Sequence, residues 1–226
     1  MKLRMKHILP IYFGFALLYL FFIPFRPIPL DFLVKAVPAF ALAFWLWISV
    51  RGWIGKTLST AMILSAFGDI ALALQTEEAT DYFMIGLGFF LLAHIIFIIV
   101  FLSDIRIKKS ALPVIVLIPV FSIGMAILLA PHLGELKIPV FVYIGVISVM
   151  GIAAGLNNRG SVLLLLGALI FITSDSAIAV NRFLLTEPHP AGPYFIMVTY
   201  YVAQFMIALS FVKTEETLNV KQPMAA

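Results

Sequence analysis

Cysteine is absent from this chain of 226 residues. Disulfide bonds, thiolate nucleophiles and cysteine-based metal sites are therefore excluded. Charge is scarce as well, because Asp, Glu, Lys and Arg make up only 12% of the residues, against about 25% in a soluble domain. Apolar residues make up 63%. We therefore expect one integral membrane domain over residues 1–226, with no room for a separate soluble domain.

Several catalytic sequence motifs are also missing. The chain contains no G-x-S-x-G, H-E-x-x-H, P-loop or G-x-G-x-x-G pattern, which argues against the hydrolases and nucleotide-binding proteins that carry them. The formal net charge is +4, but the basic residues occupy short loops and form no basic stripe. Nucleic-acid binding is therefore not indicated.

Eight apolar segments run along the chain, each close to the length of about 20 residues that crosses a bilayer as a helix. The predicted fold class is all-α, a polytopic bundle of eight transmembrane helices. The polar tail after Phe211 is expected to fray. The predicted spans are 8–25, 31–50, 54–74, 82–102, 111–130, 136–156, 161–184 and 193–212.

Lysine and arginine are distributed unevenly between the two sides of this bundle. With Lys35 and Arg182 left out because they lie within spans, eleven fall on the side of both termini and two on the other. Loops rich in Lys and Arg stay in the cytoplasm. We therefore expect a multi-pass protein of the cell membrane with cytoplasmic N- and C-termini. The basic start is followed by an apolar run without a clear cleavage site, so the first helix is expected to be retained.

The seventh span carries Asp175 near its middle and Arg182 seven residues later. Seven residues make about two helical turns, so both side chains lie on one face. A carboxylate that faces lipid costs on the order of 3 kcal/mol, which makes a buried, functional position the better explanation. A structural Asp175–Arg182 pair that locks helix packing is the alternative.

Other polar residues fall at a similar depth, in the half of the bundle away from the termini. Random scatter would not bring polar residues of five helices to one level. We therefore predict one polar cavity in this outer half. Its expected members are Lys35, Asp69, His94, Asp175, Arg182, Tyr200 and Gln204.

Two segments four spans apart resemble each other. Residues 68–73 read GDIALA and residues 174–179 read SDSAIA, and the helices that follow carry Ala-His and Ala-Gln pairs. A parallel 4+4 internal repeat would explain this likeness, and chance similarity between apolar helices is the alternative. A repeat would pair Asp69 with Asp175 across a pseudo-twofold axis.

Two buried carboxylates at one cavity suggest acid–base catalysis, in which one gives up a proton and the other stays ionised beside a cation. Lys35 and Arg182 suit a phosphate group, or serve as counter-ions of the aspartates. His94 relays a proton or is a packing residue. Asp69, His94 and Asp175 are suitable metal ligands, but their spacing does not require a metal. No metal or other cofactor is expected.

Four short motifs, in this order and within this layout, resemble the YhhN-like lysoplasmalogenase family of integral membrane alkenyl ether hydrolases. They are FGD at 67–69, LLAHIIF at 91–97, SDSAIAVNRF at 174–183 and TYYVAQ at 199–204. Lys35 followed by Pro38 is similar to the lysine-proline element of the family's second helix, although two residues intervene here.

The resemblance implies hydrolysis of the vinyl ether bond of lysoplasmalogens, which releases a fatty aldehyde and a glycerophospho-base. It implies a lysophospholipid substrate that enters from the surrounding membrane lipids. It also implies that Asp69, Asp175 and His94 are catalytic. The substrate would then be bound by Lys35, Asn181, Arg182, Tyr200 and Gln204.

A proton-coupled transporter of a small molecule or lipid is the main competing function. Intramembrane Asp, His and Arg also mark ion pathways, and internal repeats are common in transporters. The polar residues cluster at one depth, however, and do not form a path across the membrane. A lipid-sensing protein that binds lysolipid without turnover is a third hypothesis. The sequence leaves the oligomeric state and the head-group preference open.

Overall fold

The chain folds into a bundle of α-helices in a computed structural model that describes residues 2–75, 81–107, 111–159, 161–187 and 189–221. These ranges contain no β-strand. The eight long helices are α1 (Lys2–Phe22), α2 (Asp31–Ser49), α3 (Gly52–Leu74), α4 (Asp81–Phe101), α5 (Leu112–Leu129), α6 (Lys137–Leu156), α7 (Val162–Phe183) and α8 (Gly192–Lys221).

Each of these eight helices is long and apolar enough to cross a membrane, which confirms the predicted all-α architecture. Large apolar side chains face outward, such as Leu17 at 65% and Ile127 at 70% exposure. Such a surface suits lipid better than water, so the chain is a multi-pass membrane protein. The internal repeat and the orientation stay predictions, and Lys108 and Lys109, which contribute to the charge count, lie outside the described residues.

The expected fraying after Phe211 is wrong for the described part of the tail. Helix α8 continues to Lys221. The Thr214 hydroxyl donates to the carbonyl oxygens of Arg159, at 3.0 Å, and Ser210, at 2.9 Å. Contact with the segment before α7 therefore anchors the helical extension, which hydropathy alone does not reveal.

A tight connection between α2 and α3 determines the relative position of two predicted site residues. Gly52 begins α3 with a φ of +72°, a left-handed conformation that glycine adopts without strain. Only Val50 and Arg51 separate the helices, so α3 runs back alongside α2. Lys35, near the start of α2, and Asp69, near the end of α3, are thereby brought side by side.

Close packing of α7 on α8 positions the predicted site residues that these two helices carry. A Cβ atom on Gly167 would lie only 3.0 Å from the Ala203 carbonyl oxygen. The small residue therefore allows the two backbones to approach closely, as at many helix contacts in membranes. This contact lies one turn from Phe171 along α7, and Phe171 in turn packs against the Tyr200 ring of α8 at 5.5 Å between centroids.

Candidate active site

Asp69 lies at the centre of a buried polar cluster. Its carboxylate accepts a hydrogen bond from the Tyr200 hydroxyl at 2.7 Å and lies 3.4 Å from the Lys35 ammonium. Gln204 Nε2 donates to the Tyr200 oxygen at 2.8 Å. Asp69 is 1% exposed and Gln204 is fully buried. We call Lys35, Asp69, Tyr200 and Gln204 the Asp69 cluster; it joins α2, α3 and α8.

Two further tyrosines hold the backbone around this cluster. The Tyr201 hydroxyl donates to the Lys35 carbonyl oxygen at 3.1 Å. The Tyr12 hydroxyl donates to the Tyr201 carbonyl oxygen at 2.5 Å. Helices α1, α2 and α8 are therefore tied together next to the buried lysine, which fixes where its side chain begins.

Asp175 belongs to a separate group of side chains. The Tyr143 hydroxyl donates to Asp175 Oδ2 at 2.5 Å, and His94 Nε2 lies 3.8 Å from the same oxygen. His94 also packs edge-on against the Tyr143 ring, with 5.5 Å between centroids. We call Tyr143, His94 and Asp175 the Asp175 cluster; it joins α6, α4 and α7. Each aspartate thus has a tyrosine donor from another helix.

One aromatic side chain of α7, Phe171, contacts both clusters. The Phe171 ring lies 4.8 Å from the His94 ring and 5.5 Å from the Tyr200 ring, measured between centroids. The expectation of a single polar cavity is wrong for Asp175, whereas Lys35 and Arg182 do line one cavity together. Asp175 lines a cavity of about 40 Å³ between α5, α6 and α7, whereas Lys35 lines a different cavity of about 480 Å³.

The larger cavity is lined by three basic side chains, Arg26, Lys35 and Arg182. The Arg182 guanidinium carbon lies 3.9 Å from the centre of the Phe83 ring, a cation–π arrangement. Among the described residues, no carboxylate lies within ion-pair distance of Arg182. The expected alternative of a structural Asp175–Arg182 pair is therefore not realised.

Several buried polar atoms near the two clusters lack a hydrogen-bond partner in the described part of the chain. They are Nε2 of His94, Oε1 of Gln204 and Oδ1 of Asn181. Asn181 uses its Nδ2 on the Ala177 carbonyl oxygen of its own helix, at 2.9 Å, and it lines the larger cavity. Buried polar groups are nearly always paired, so these atoms are suited to a polar ligand or water.

Sequence reasoning missed Tyr143 and Arg26. Tyr143 is 8% exposed within the apolar helix α6, and a buried tyrosine usually needs a partner for its hydroxyl, which is a usable sequence signal. Arg26 forms an ion pair with Asp31 and donates to the Ala73 carbonyl oxygen at 3.2 Å. Because Arg26 lies in a loop, no helical periodicity marks it as part of the cavity.

Comparison with known proteins adds family information to this geometry. The sequence model described as the YhhN family matches residues 30–211. A lysoplasmalogenase of Mycobacterium bovis is 37% identical over 161 residues, covering 69% of this chain and 60% of the relative. Human lysoplasmalogenase TMEM86A is 31% identical over 203 residues, covering 83% and 80%. Human lysoplasmalogenase TMEM86B is 32% identical over 184 residues, covering 80% and 75%.

The coverage of these relatives is uneven. The chain spans 60% of the length of the mycobacterial relatives that it matches. The part of this chain that the YhhN family model matches includes both aspartate clusters, since every residue in them lies within 30–211. No solved structure gives a significant match.

Proposed function

This chain belongs to the YhhN family, and on that premise we propose that it hydrolyses the vinyl ether bond of lysoplasmalogens. The reaction adds one water and yields a fatty aldehyde and a glycerophospho-base. The observation that carries the proposal is the pair of buried aspartates with different surroundings. Asp69 has a lysine 3.4 Å away, whereas Asp175 has a tyrosine and a histidine but no lysine or arginine partner among the described residues.

Asp69 is assigned as the aspartate that stays ionised. The Lys35 ammonium and the Tyr200 hydroxyl both interact favourably with the negative form of its carboxyl group. Protonation of a vinyl ether produces an oxocarbenium ion, and a fixed negative charge in a site of low dielectric stabilises such a cation. Gln204 orients Tyr200 and, through its free Oε1, is suited to a donor on the substrate or on water.

Asp175 is assigned as the proton donor. Its proton goes to the alkenyl carbon that does not carry oxygen, and the double-bond electrons form the new C–H bond. Water oxygen then bonds to the oxocarbenium carbon, and Asp175 takes back one proton. The resulting hemiacetal breaks its bond to the glycerol oxygen, which leaves with a proton as an alcohol, and the aldehyde is released. One carboxyl group acts first as acid and then as base, as in many glycosidases.

The basic cavity is proposed to hold the phosphate of the lysolipid. Arg182, stacked on Phe83, has no described ion-pair partner and is suited to a phosphate oxygen. Arg26 and Lys35 add positive charge to the same cavity, and Asn181 offers an amide. The phosphate lies a few bonds from the ether in a lysoplasmalogen. The basic cavity and the Asp69 cluster meet at Lys35, which suits that short separation.

The protein is proposed to reside in the cell membrane with both termini in the cytoplasm, as the excess of Lys and Arg on the terminal side indicates. The basic cavity would then open on the opposite side. An epitope at either terminus of the full chain, probed in sealed and in permeabilised cells, tests this orientation. Labelling of sealed cells at the termini would contradict it.

The activity is tested by aldehyde release from a choline lysoplasmalogen with the purified protein in detergent. Asp69→Asn and Asp175→Asn are each expected to reduce turnover about 100-fold or more. Asp104→Asn is a matched control, because Asp104 is partly exposed and pairs only with the surface residue Arg159 at 3.0 Å among the described residues. Full activity in Asp175→Asn would overturn the assignment. Folded wild type that yields no aldehyde but drives proton-coupled flux in liposomes would favour the transporter.

A further inference from the structure

We propose that the cavity of about 40 Å³ beside Asp175 binds the water that the reaction consumes, an inference that rests on the proposed hydrolase function. This water cavity lies between α5, α6 and α7. Its polar lining comes from Ser122, Tyr143, Asp175 and Ser176, and its other walls are apolar. It is separate from the basic cavity that contains Lys35 and Arg182.

The size of this cavity selects its ligand. A buried water needs a cavity of about 10–15 Å³, so one of about 40 Å³ accommodates one water and at most a few. A glycerophospho head group does not fit, since sites for drug-sized ligands start at about 300 Å³. The basic cavity, at about 480 Å³, has room for the lipid head group.

The polar groups can satisfy a bound water, which needs two to four partners. The Tyr143 hydroxyl uses its proton on Asp175 Oδ2, so its oxygen keeps lone pairs for a donor. Ser122 Oγ lies 2.6 Å from Ser148 Oγ, and Ser148 Oγ also lies 2.5 Å from the Ile144 carbonyl oxygen. A hydroxyl offers one proton and two lone pairs, and Ser122 uses one of these three positions on Ser148, so two remain for a bound water.

The position beside Asp175 matches the chemistry. After Asp175 has protonated the alkenyl carbon, its carboxylate is next to this water and takes one proton as the water oxygen bonds to the oxocarbenium carbon. No oxidant or further reactant is needed. Because the water cavity is distinct from the basic cavity, a lipid head group bound in the basic cavity does not displace the water.

A cavity-filling substitution tests the proposal by kinetics. Ala179 lines the water cavity, and Ala179→Val reduces its volume without touching a polar group. We expect kcat for lysoplasmalogen to fall about tenfold or more while KM stays within twofold, because lipid binding uses the other cavity. The matched control is Ala126→Val, which fills a neighbouring cavity of about 320 Å³ that borders Ser122 but not Asp175. An unchanged kcat in folded Ala179→Val would overturn the proposal.

Radiolytic labelling tests the water site without relying on activity. Hydroxyl radicals formed from bound water oxidise adjacent side chains, and Met125 lines the water cavity. Met206 is partly buried, as Met125 is, and lines neither cavity, so it serves as the internal reference. Met125 is expected to be oxidised faster than Met206 in wild type and to be protected in Ala179→Val. Oxidation of Met125 at the rate of Met206 in wild type would contradict the proposal. Absence of aldehyde from wild type would overturn the proposed hydrolase function and not the water site, because the labelling detects bound water without turnover.

Discussion

Replacing Lys35 with methionine removes the positive charge of a buried ion pair while a long apolar side chain remains. The Lys35 ammonium lies 3.4 Å from Asp69 Oδ1, and the two side chains are 8% and 2% exposed. At that distance and an effective dielectric constant of about 20, the Coulomb attraction is about 5 kcal/mol. Desolvation of both charges offsets part of this attraction. Removal of one partner of a buried pair therefore lowers the free energy of unfolding by about 3–5 kcal/mol.

A double-mutant cycle isolates the interaction. Unfolding in mixed micelles with increasing dodecyl sulfate would be measured for wild type, Lys35→Met, Asp69→Asn and the double variant. We expect the double variant to be about 2–3 kcal/mol more stable than the sum of the single effects predicts. Lys56→Met is the control, because within the described ranges the Lys56 ammonium contacts only the Trp47 ring, at 5.8 Å, on the surface. Its loss should cost about 0.5 kcal/mol or less.

Additive single effects, to within about 0.5 kcal/mol, would refute the reasoning, because they would show that Lys35 and Asp69 do not interact in the folded protein. The same variants separate the two roles of Lys35. If it mainly keeps Asp69 ionised, Lys35→Met lowers kcat for lysoplasmalogen. If it mainly holds phosphate, the substitution raises KM instead. Because the Lys35 ammonium lies next to the Asp69 carboxylate, we expect the substitution to change kcat more than KM.

Three further predictions concern other parts of the site. Arg182→Gln is expected to raise KM about tenfold, with kcat within twofold, because the guanidinium is proposed to bind the phosphate and not the reacting atoms. Tyr143→Phe is expected to lower kcat about tenfold with little change in KM, because Asp175 loses the donor that fixes its orientation. Gly167→Ala is expected to lower the free energy of unfolding by about 1–3 kcal/mol in the dodecyl sulfate titration, because its Cβ would lie 3.0 Å from Ala203 O. Gly145→Ala, whose Cβ meets no atom within 4 Å, should be neutral. Steady-state aldehyde release checks the first two predictions. An unchanged KM in Arg182→Gln, or an unchanged kcat in Tyr143→Phe, would contradict them. Equal stability of Gly167→Ala and Gly145→Ala would contradict the third.

The membrane architecture was predictable from local sequence. Hydropathy over about 20 residues is enough to identify a span, because the bilayer thickness and not a partner helix sets the length. The extent of α8 was not predictable in this way. Its last turns are polar, and the hydrogen bond from Thr214 to Arg159 depends on a segment that precedes α7.

The buried ionisable residues were also visible in the sequence, because Lys35, Asp69 and Asp175 are rare and costly within apolar spans. Their partners were only partly visible. Lys35 was one expected cation for the aspartates, and it does meet Asp69. The other expected cation, Arg182, turns to the Phe83 ring. A spacing of seven residues places two side chains on one face but does not bring their charged ends together.

By itself, the sequence determined that the chain is a membrane bundle and which of its side chains cannot face lipid. Both follow from properties that each residue carries alone. The packing of the helices was needed to show that Tyr143 meets Asp175 and that Phe171 contacts both His94 and Tyr200. Those contacts depend on how each helix is rotated and packed against its neighbours. Rotation is set by the summed fit of many apolar side chains, and no short stretch of sequence contains that information.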